Sequence, residues 1–531
     1  VKRALPLAAI VAVFCLMLVP QFGYVPVWDG RVYADCAIGA AANGLSFESL
    51  RCAGHPSQGY AVFLALSQLI RLGDVSLLHL TNALLGVLAL ACVRAILASV
   101  FPAPALAREL DLVTLACAVH PVLLSTLLQV NIDFGVYVFF FAALAALLRE
   151  RFGWTALAGV FLCFSKETGV LAYAVMSALW ALFRVAGDSG PPVARIRRLA
   201  PMWVTTAPLL LFVVHVLWWN ATHAQAAVWK HAWQHGPLDG FRFFDLTEPI
   251  FRSYAAGIFV LGFMWVLSAI IGADLLAAGA RMLSRLPDRE VPGADRRPLA
   301  FVSVLTALLA YLLTSFRTWS NLRYFALLYP LLVLLAFAAL LRLRAGTPLR
   351  VASLAGVALL FAWASFRSAD PVSRAVYGTF SIGEREMYRM ASISGEYKGP
   401  GRDELVYNLE FTGYHSAQNA LYRVLHPTDS TSIATAQEAR REVFSPLDPV
   451  TLRRTLRSGA VIRPRYWDEA TLLAAPVSLR PPEVWFLDFS YRPDADSSLQ
   501  SLAGIYRESA VVRATANGHT IVAHRLDARA P

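Results

Sequence analysis

The chain has 531 residues, 57% of them hydrophobic, 12% aromatic and only 16% charged, with a formal net charge of +11. Soluble domains carry about 25% charged residues, so this composition excludes a soluble globular enzyme and implies a polytopic membrane protein. The positive balance does not speak for nucleic acid, because most basic residues lie in short loops between apolar runs, where they orient helices.

Lys2 and Arg3 precede a first apolar run, Leu5 to Tyr24, which at about 20 residues is long enough to span a bilayer. It resembles a signal peptide, but no small-residue cleavage site follows. It is read as a helix with the N-terminus in the cytoplasm and residues 25–75 outside. Residues 59–70 are too short to cross and are expected to form an interfacial helix. Spans follow at 77–100 inward, 112–130 outward and 134–148 inward, then a hairpin with arms 154–165 and 169–183. Residues 201–219 go out and 254–280 return to a basic loop at 281–297; runs 299–316, 324–341 and 349–366 complete the set. Arg108, Arg149, Arg151, Arg184, Arg195, Arg197, Arg198, Arg342 and Arg344 all fall on one side, which the positive-inside rule makes the cytoplasm. About eleven spans result.

Residues 368–531 are left on the periplasmic face, and their character differs. Strand-like runs at 405–409 and 484–488, a helical pattern at 416–425 and a hairpin turning at Asn517-Gly518 predict a small α/β domain. The expected division is a transmembrane module over 1–367 and a periplasmic α/β domain over 368–531. Cys15, Cys92, Cys117 and Cys163 lie in spans, where thiols pack as small apolar groups. Cys36 and Cys52 share the first outside loop; an oxidising compartment permits a bridge, and two free thiols suit the sequence as well. No CxxC pair or His cluster has metal-ligand spacing.

Ionisable groups at the outer half of a membrane are costly unless paired or hydrated, which makes them candidates for function. Directly after the first span stands VWDGRVYADCAIGAA, residues 27–41, with Asp29, Arg31 and Asp35 beside Trp28 and Tyr33. On a helix, positions 29, 33 and 36 share a face and 35 is turned away. Asp29 and Tyr33 then look the same way and Asp35 supports them; solvated interfacial acids are the plainer reading. Asn131-Ile132-Asp133 is the whole connection between two spans, where Asp133 either faces the same pocket or caps the next helix. Ser165-Lys166-Glu167-Thr168-Gly169 closes a hairpin whose arms rise only about 18–22 Å, short of the roughly 30 Å hydrocarbon core. Its charges either line a cavity or pair with each other to plug the turn. In the outside loop 220–252, Trp229-Lys230-His231-Ala232-Trp233-Gln234-His235 suits an interfacial belt, a phosphate or a sugar face. Arg317 and Arg323 stand outside, against the orientation rule, and invite an anion; Arg323-Tyr324 opens a helix interrupted by Pro330. Acids that deprotonate a hydroxyl and cations that stabilise a phosphate together fit group transfer from a membrane-bound phosphate ester.

These residues resemble motifs of the GT-C superfamily of integral-membrane glycosyltransferases, in particular the branch of protein O-mannosyltransferases and lipid A aminoarabinose transferases. That branch carries Asp-Glu-x-x-Tyr-Ala-Glu-x-Ala after its first helix, similar to Asp29-Gly30-Arg31-Val32-Tyr33-Ala34-Asp35-Cys36-Ala37. Gly30 stands where the family has Glu. The family's Lys-Pro-Pro-Leu-Tyr-Tyr resembles the stretch from His55 to Tyr60, with His55 at the phosphate-binding Lys. Asp133, the turn from Phe164 through Lys166 to Gly169, and Arg323-Tyr324 through Pro330 match later motifs in order. The resemblance covers roughly residues 1–370. It implies a polyprenyl-phosphate sugar donor, an inverting displacement onto a hydroxyl of a glycan, lipid or protein, and a bacterial inner-membrane location. Asp29 would be the base, Tyr33 and Asp133 would position, and Lys166, Arg323 and His55 would hold phosphate, with Tyr324 and Asp35 in the substrate site. It implies no cofactor and leaves a divalent metal open. A glycan polymerase or ligase with a diphosphate-linked donor is the nearest rival. A secondary transporter would show two similar halves, and none is evident.

Overall fold

The computed structural model describes residues 4–19, 22, 29–52, 55–186, 199–222, 249–285, 287, 289–315, 322–366, 370–378, 421, 424–425, 428, 430–435, 465–489, 494–516 and 519–529. Trp28, the stretch 229–235, Arg317, the run 405–409, most of 416–425 and the turn at 517–518 lie outside the described residues.

Helix α1 (Ala4–Leu18) is followed by two short helices, α2 (Asp29–Asn43) and α3 (Gln58–Gln68), and then by the long α4 (Val75–Val100). Asp74 caps α4 by accepting from the Ser76 amide at 2.9 Å. The span expected at 112–130 is bent: α5 (Ala107–Ala118) and α6 (Pro121–Leu128) meet at 48°. Pro121 opens α6, where its missing N–H costs nothing. Helix α7 (Ile132–Leu148) is apolar on every side and buried almost throughout, so it runs through the middle of the bundle. It packs against α4 and against α8 (Phe152–Cys163).

The second arm of the hairpin, α9 (Glu167–Ala186), has 20 residues and is longer than expected, enough to cross a membrane alone. A 3-10 stretch, Ala200–Thr206, leads into α10 (Ala207–Thr222). The run expected as one span at 254–280 is two helices, α11 (Pro249–Phe259) and α12 (Met264–Leu283). Gly262 and Phe263 both take φ of +66°, a left-handed conformation that a right-handed helix cannot continue through. Next come α13 (Arg296–Ser315), a 3-10 turn at Leu322–Phe325, α14 (Leu328–Arg342), α15 (Thr347–Phe366) and α16 (Pro371–Gly378). Arg323-Tyr324 therefore sits in a short turn rather than opening the helix. Pro330 falls in the first turn of α14, where it interrupts nothing.

Six described helices, or seven if α5 and α6 count as one, are long and apolar enough to cross a membrane, and four shorter apolar helices accompany them. The chain is a multi-pass helical membrane protein. Beyond it, β1 (Ser432–Thr435), β2 (Arg465–Asp468), β3 (Glu483–Phe489), β4 (Tyr506–Ala516) and β5 (His519–Ala528) form one sheet in the order β2-β1-β3-β5-β4. β1 runs parallel to β2 and β3, while β3–β5 and β4–β5 are antiparallel. The strand expected at 484–488 is β3, and β4 and β5 pair down to Ala516 opposite His519, as a two-residue hairpin requires. Val484, Phe486, Ile521 and Ala523 are buried in a small core of its own.

Candidate active site

The site is organised by the turn between α8 and α9. Glycine is required where other segments press on the end of α8: a Cβ on Gly59 would lie 2.2 Å from the Phe161 carbonyl oxygen, and one on Gly169 would lie 2.3 Å from that of Leu162. Gly59 also donates its N–H to the Phe164 carbonyl at 2.7 Å. The segment from His55 into α3 thereby lies directly against the turn that carries Lys166 and Glu167.

Asp133 is placed by α7. Its plainer role, helix capping, belongs to Asn131, whose side chain accepts from the Asp133 amide at 3.2 Å. The Asp133 carboxylate, 4% exposed, is thus free for longer-range partners. One oxygen accepts from Lys166 Nζ at 2.7 Å, and the other lies 3.1 Å from Arg323 Nε as an ion pair without hydrogen-bond alignment. The Lys166 ammonium also sits 4.0 Å from the centre of the Tyr324 ring, and the Arg323 guanidinium 5.6 Å from it. Three charged groups and an aromatic face thus meet in one buried cluster.

Glu167 does not plug the turn by pairing with Lys166. Both of its carboxylate oxygens stand 3.1 Å from His55 Nδ1, and both side chains are only partly buried. Arg51 joins from the same segment as His55: its guanidinium lies 3.8 Å over the Trp219 ring. Burial pushes Arg51 down from its ordinary value, and the Glu167 carboxylate acts against that shift. Glu167 was legible as a charge in the turn, but its pairing with His55, 112 residues away, was not, and Arg51 was missed because no local spacing signals it.

Cys36 and Cys52 form a disulfide that ties α2 to the segment ahead of His55. Helix α2 begins at Asp29, so positions 29, 33 and 36 share a helical face, and the bridge from Cys36 joins that helix to this segment. Tyr33 is buried in the core and Asp35 is half-buried; the Asp29 and Arg31 side chains lie outside what the structure describes. Among the described residues no three His, Cys, Asp or Glu stand together as a metal set.

Fold and site together define a multi-pass helical membrane protein whose central helix presents one carboxylate to two cations at the end of the bundle. No protein-family model matches the chain, and no curated protein matches it in sequence. Solved structures do resemble it. ArnT from Cupriavidus metallidurans bound to undecaprenyl phosphate aligns over 98% of this chain and 97% of its own, with a TM-score of 0.55 at 14% identity. The apo state of that protein aligns over the same shares with a TM-score of 0.51 at 14% identity. The likeness establishes the fold that the sequence motifs implied.

Proposed function

We propose that the chain is an inverting glycosyltransferase that moves a sugar from a polyprenyl-phosphate donor to a hydroxyl acceptor at the periplasmic face of a bacterial inner membrane. The observation that carries this reading is the Asp133–Lys166–Arg323 cluster, in a chain with the fold of a protein solved with undecaprenyl phosphate bound. In the reaction the acceptor oxygen attacks the anomeric carbon, its proton passes to a base, and the carbon–oxygen bond to phosphate breaks with the electron pair leaving on phosphate. Lys166 and Arg323 stabilise that growing charge, which is where fixed cations act most strongly. Asp133 orients both cations, Tyr324 backs them, and His55, oriented by Glu167, faces the donor's phosphate or sugar. Asp29 is the base, with Tyr33 one turn along α2 supporting it and Asp35 in a lesser role. The transmembrane module over 1–367 does this chemistry, with its N-terminus in the cytoplasm and residues 368–531 in the periplasm.

The test is transfer from a polyprenyl-phosphate sugar by the purified full chain in nanodiscs. Asp29→Asn should lower turnover by roughly 10²–10⁴-fold, the range of general-base catalysis, with undecaprenyl phosphate binding intact. Asp35→Asn should cost less. Near-normal turnover by Asp29→Asn with a crippled Asp35→Asn would move the base to Asp35. Transfer from a diphosphate-linked donor alone would replace this donor class.

A further inference from the structure

Asp370 stands where the chain leaves the last long helix, and its carboxylate serves two helices at once. One oxygen caps α16, accepting from the Val372 and Ser373 amides at 3.1 and 3.0 Å, and also takes the Trp265 indole N–H at 3.1 Å. The other accepts the Phe263 amide at 3.2 Å and the Ser373 hydroxyl at 2.6 Å. The same hydroxyl accepts the Gly262 amide at 3.1 Å. Both amides of the left-handed break between α11 and α12 therefore end on Asp370 and Ser373. Phe263, the residue just before α12, supplies no side-chain cap of its own, so Asp370 supplies it from 107 residues away.

The break matters because of what α11 touches. The Tyr254 ring lies 4.9 Å from that of Phe325, in the 3-10 turn that carries Arg323 and Tyr324. Near its other end, Gly257 accepts the Tyr329 hydroxyl of α14 at 3.3 Å. The direction in which α11 leaves the break thus decides what packs behind the Arg323 turn. Phe263 is a bulky residue held at positive φ, a conformation that persists only when surrounding bonds enforce it.

We propose that Asp370, with Ser373, is a positioning element for Arg323: it locks the α11–α12 break and through α11 fixes the turn that presents the guanidinium to Asp133. The functional half of this proposal rests on the reading of Arg323 as a phosphate-holding residue.

The test compares the full chain with Asp370→Asn and Ser373→Ala by hydrogen-exchange mass spectrometry and by binding of undecaprenyl phosphate. Asparagine puts an NH2 group where one carboxylate oxygen accepted, leaving fewer acceptors for the backbone and indole donors, so Asp370→Asn should speed exchange at 260–266 and also at 322–328. Peptides from α13 and α15 should keep wild-type rates. Affinity for undecaprenyl phosphate should fall roughly two- to thirty-fold, the range for substitutions that act through packed intermediaries. Ser373→Ala removes one acceptor and should show the same pattern at smaller amplitude, which keeps the test decisive if Asp370→Asn does not fold. Faster exchange at 260–266 with 322–328 unchanged would overturn the coupling, and unchanged exchange at both would overturn the cap. Faster exchange at both with unaltered affinity would uphold the positioning and overturn the phosphate role of Arg323.

Discussion

Charged groups are buried at both ends of the helical bundle, but they are combined differently. Away from the site, three acids of the described helices pair with arginines: Asp111 with Arg94 at 2.8 Å, Glu109 with Arg350 at 2.9 Å, and Asp274 with Arg342 at 3.0 Å. These pairs join α5 to α4, α5 to α15 and α12 to α14. At the site a single carboxylate, Asp133, is shared by Lys166 and Arg323. A one-to-one pair stitches helices and has no reason to let go. In the proposed reading a phosphate oxygen takes the place of Asp133 at one of these two cations. On that reading the difference separates a staple from a binding site.

The largest effect should come from opening the shared cluster. Lys166→Gln is expected to lower transfer by roughly 10²–10³-fold, the loss seen when one preorganised group facing transition-state charge is removed. Folding should suffer little, because Asp133 keeps Arg323 as a partner. Arg323→Gln should behave alike, whereas Arg323→Lys keeps the charge but loses the planar fork and should recover only part of the rate. Turnover and the thermal midpoint in detergent, measured on the same preparations, decide this. A steep fall in stability with unchanged transfer would make the cluster one more staple.

Opening a staple should do the opposite. Glu109 is 1% exposed, and Glu109→Gln leaves the Arg350 guanidinium buried without its counter-charge. Breaking a buried pair in this way costs about 3–5 kcal/mol, so the thermal midpoint should drop clearly. Turnover per folded molecule and affinity for undecaprenyl phosphate should stay at wild-type values. A selective loss of donor affinity in Glu109→Gln would erase the distinction between the two ends.

The comparison also marks what the sequence could reveal. Asp133, Lys166 and Arg323 were legible because each is a charge where hydropathy or orientation disfavours one. Their convergence was not, since Lys166 is 33 residues from Asp133 and Arg323 far beyond it. Local pattern even argued for the plainer role of Asp133, because Asn131 and Asp133 are both good caps and only coordinates show which one caps. Glu109, Asp111 and Asp274 gave no warning, because their arginine partners lie 17 to 241 residues away. The α11–α12 break was invisible for a related reason: Gly262-Phe263 sits in an unbroken apolar run, and the group that stabilises it, Asp370, reads in sequence only as the start of the tail. The strand at 484–488 and the closing hairpin were legible because alternation and turn chemistry are local.

The smallest expected effect is the sharpest test, because the His55–Glu167 pair has features of both classes. It is one acid with one base, as in a staple, yet His55 is 35% exposed, more than any side chain in the three staples. Partly exposed ion pairs contribute little to stability, about 0–1 kcal/mol. If the pair belongs to the site, Glu167→Gln should move the thermal midpoint barely at all. It should still weaken transfer, because His55 loses the carboxylate that fixes its ring and a neutral amide cannot hold the imidazole as firmly. A loss of a few-fold to roughly a hundred-fold is expected, below that of Lys166→Gln, since orienting a group contributes less than supplying the charge itself. His55→Gln should give a similar loss, and the double variant should be no worse than either single one, because two residues acting as one unit are not additive. Additive losses would mean that His55 and Glu167 act separately. A large drop in stability with normal transfer would return the pair to the staples, and with it the segment that the Cys36–Cys52 bridge holds in place.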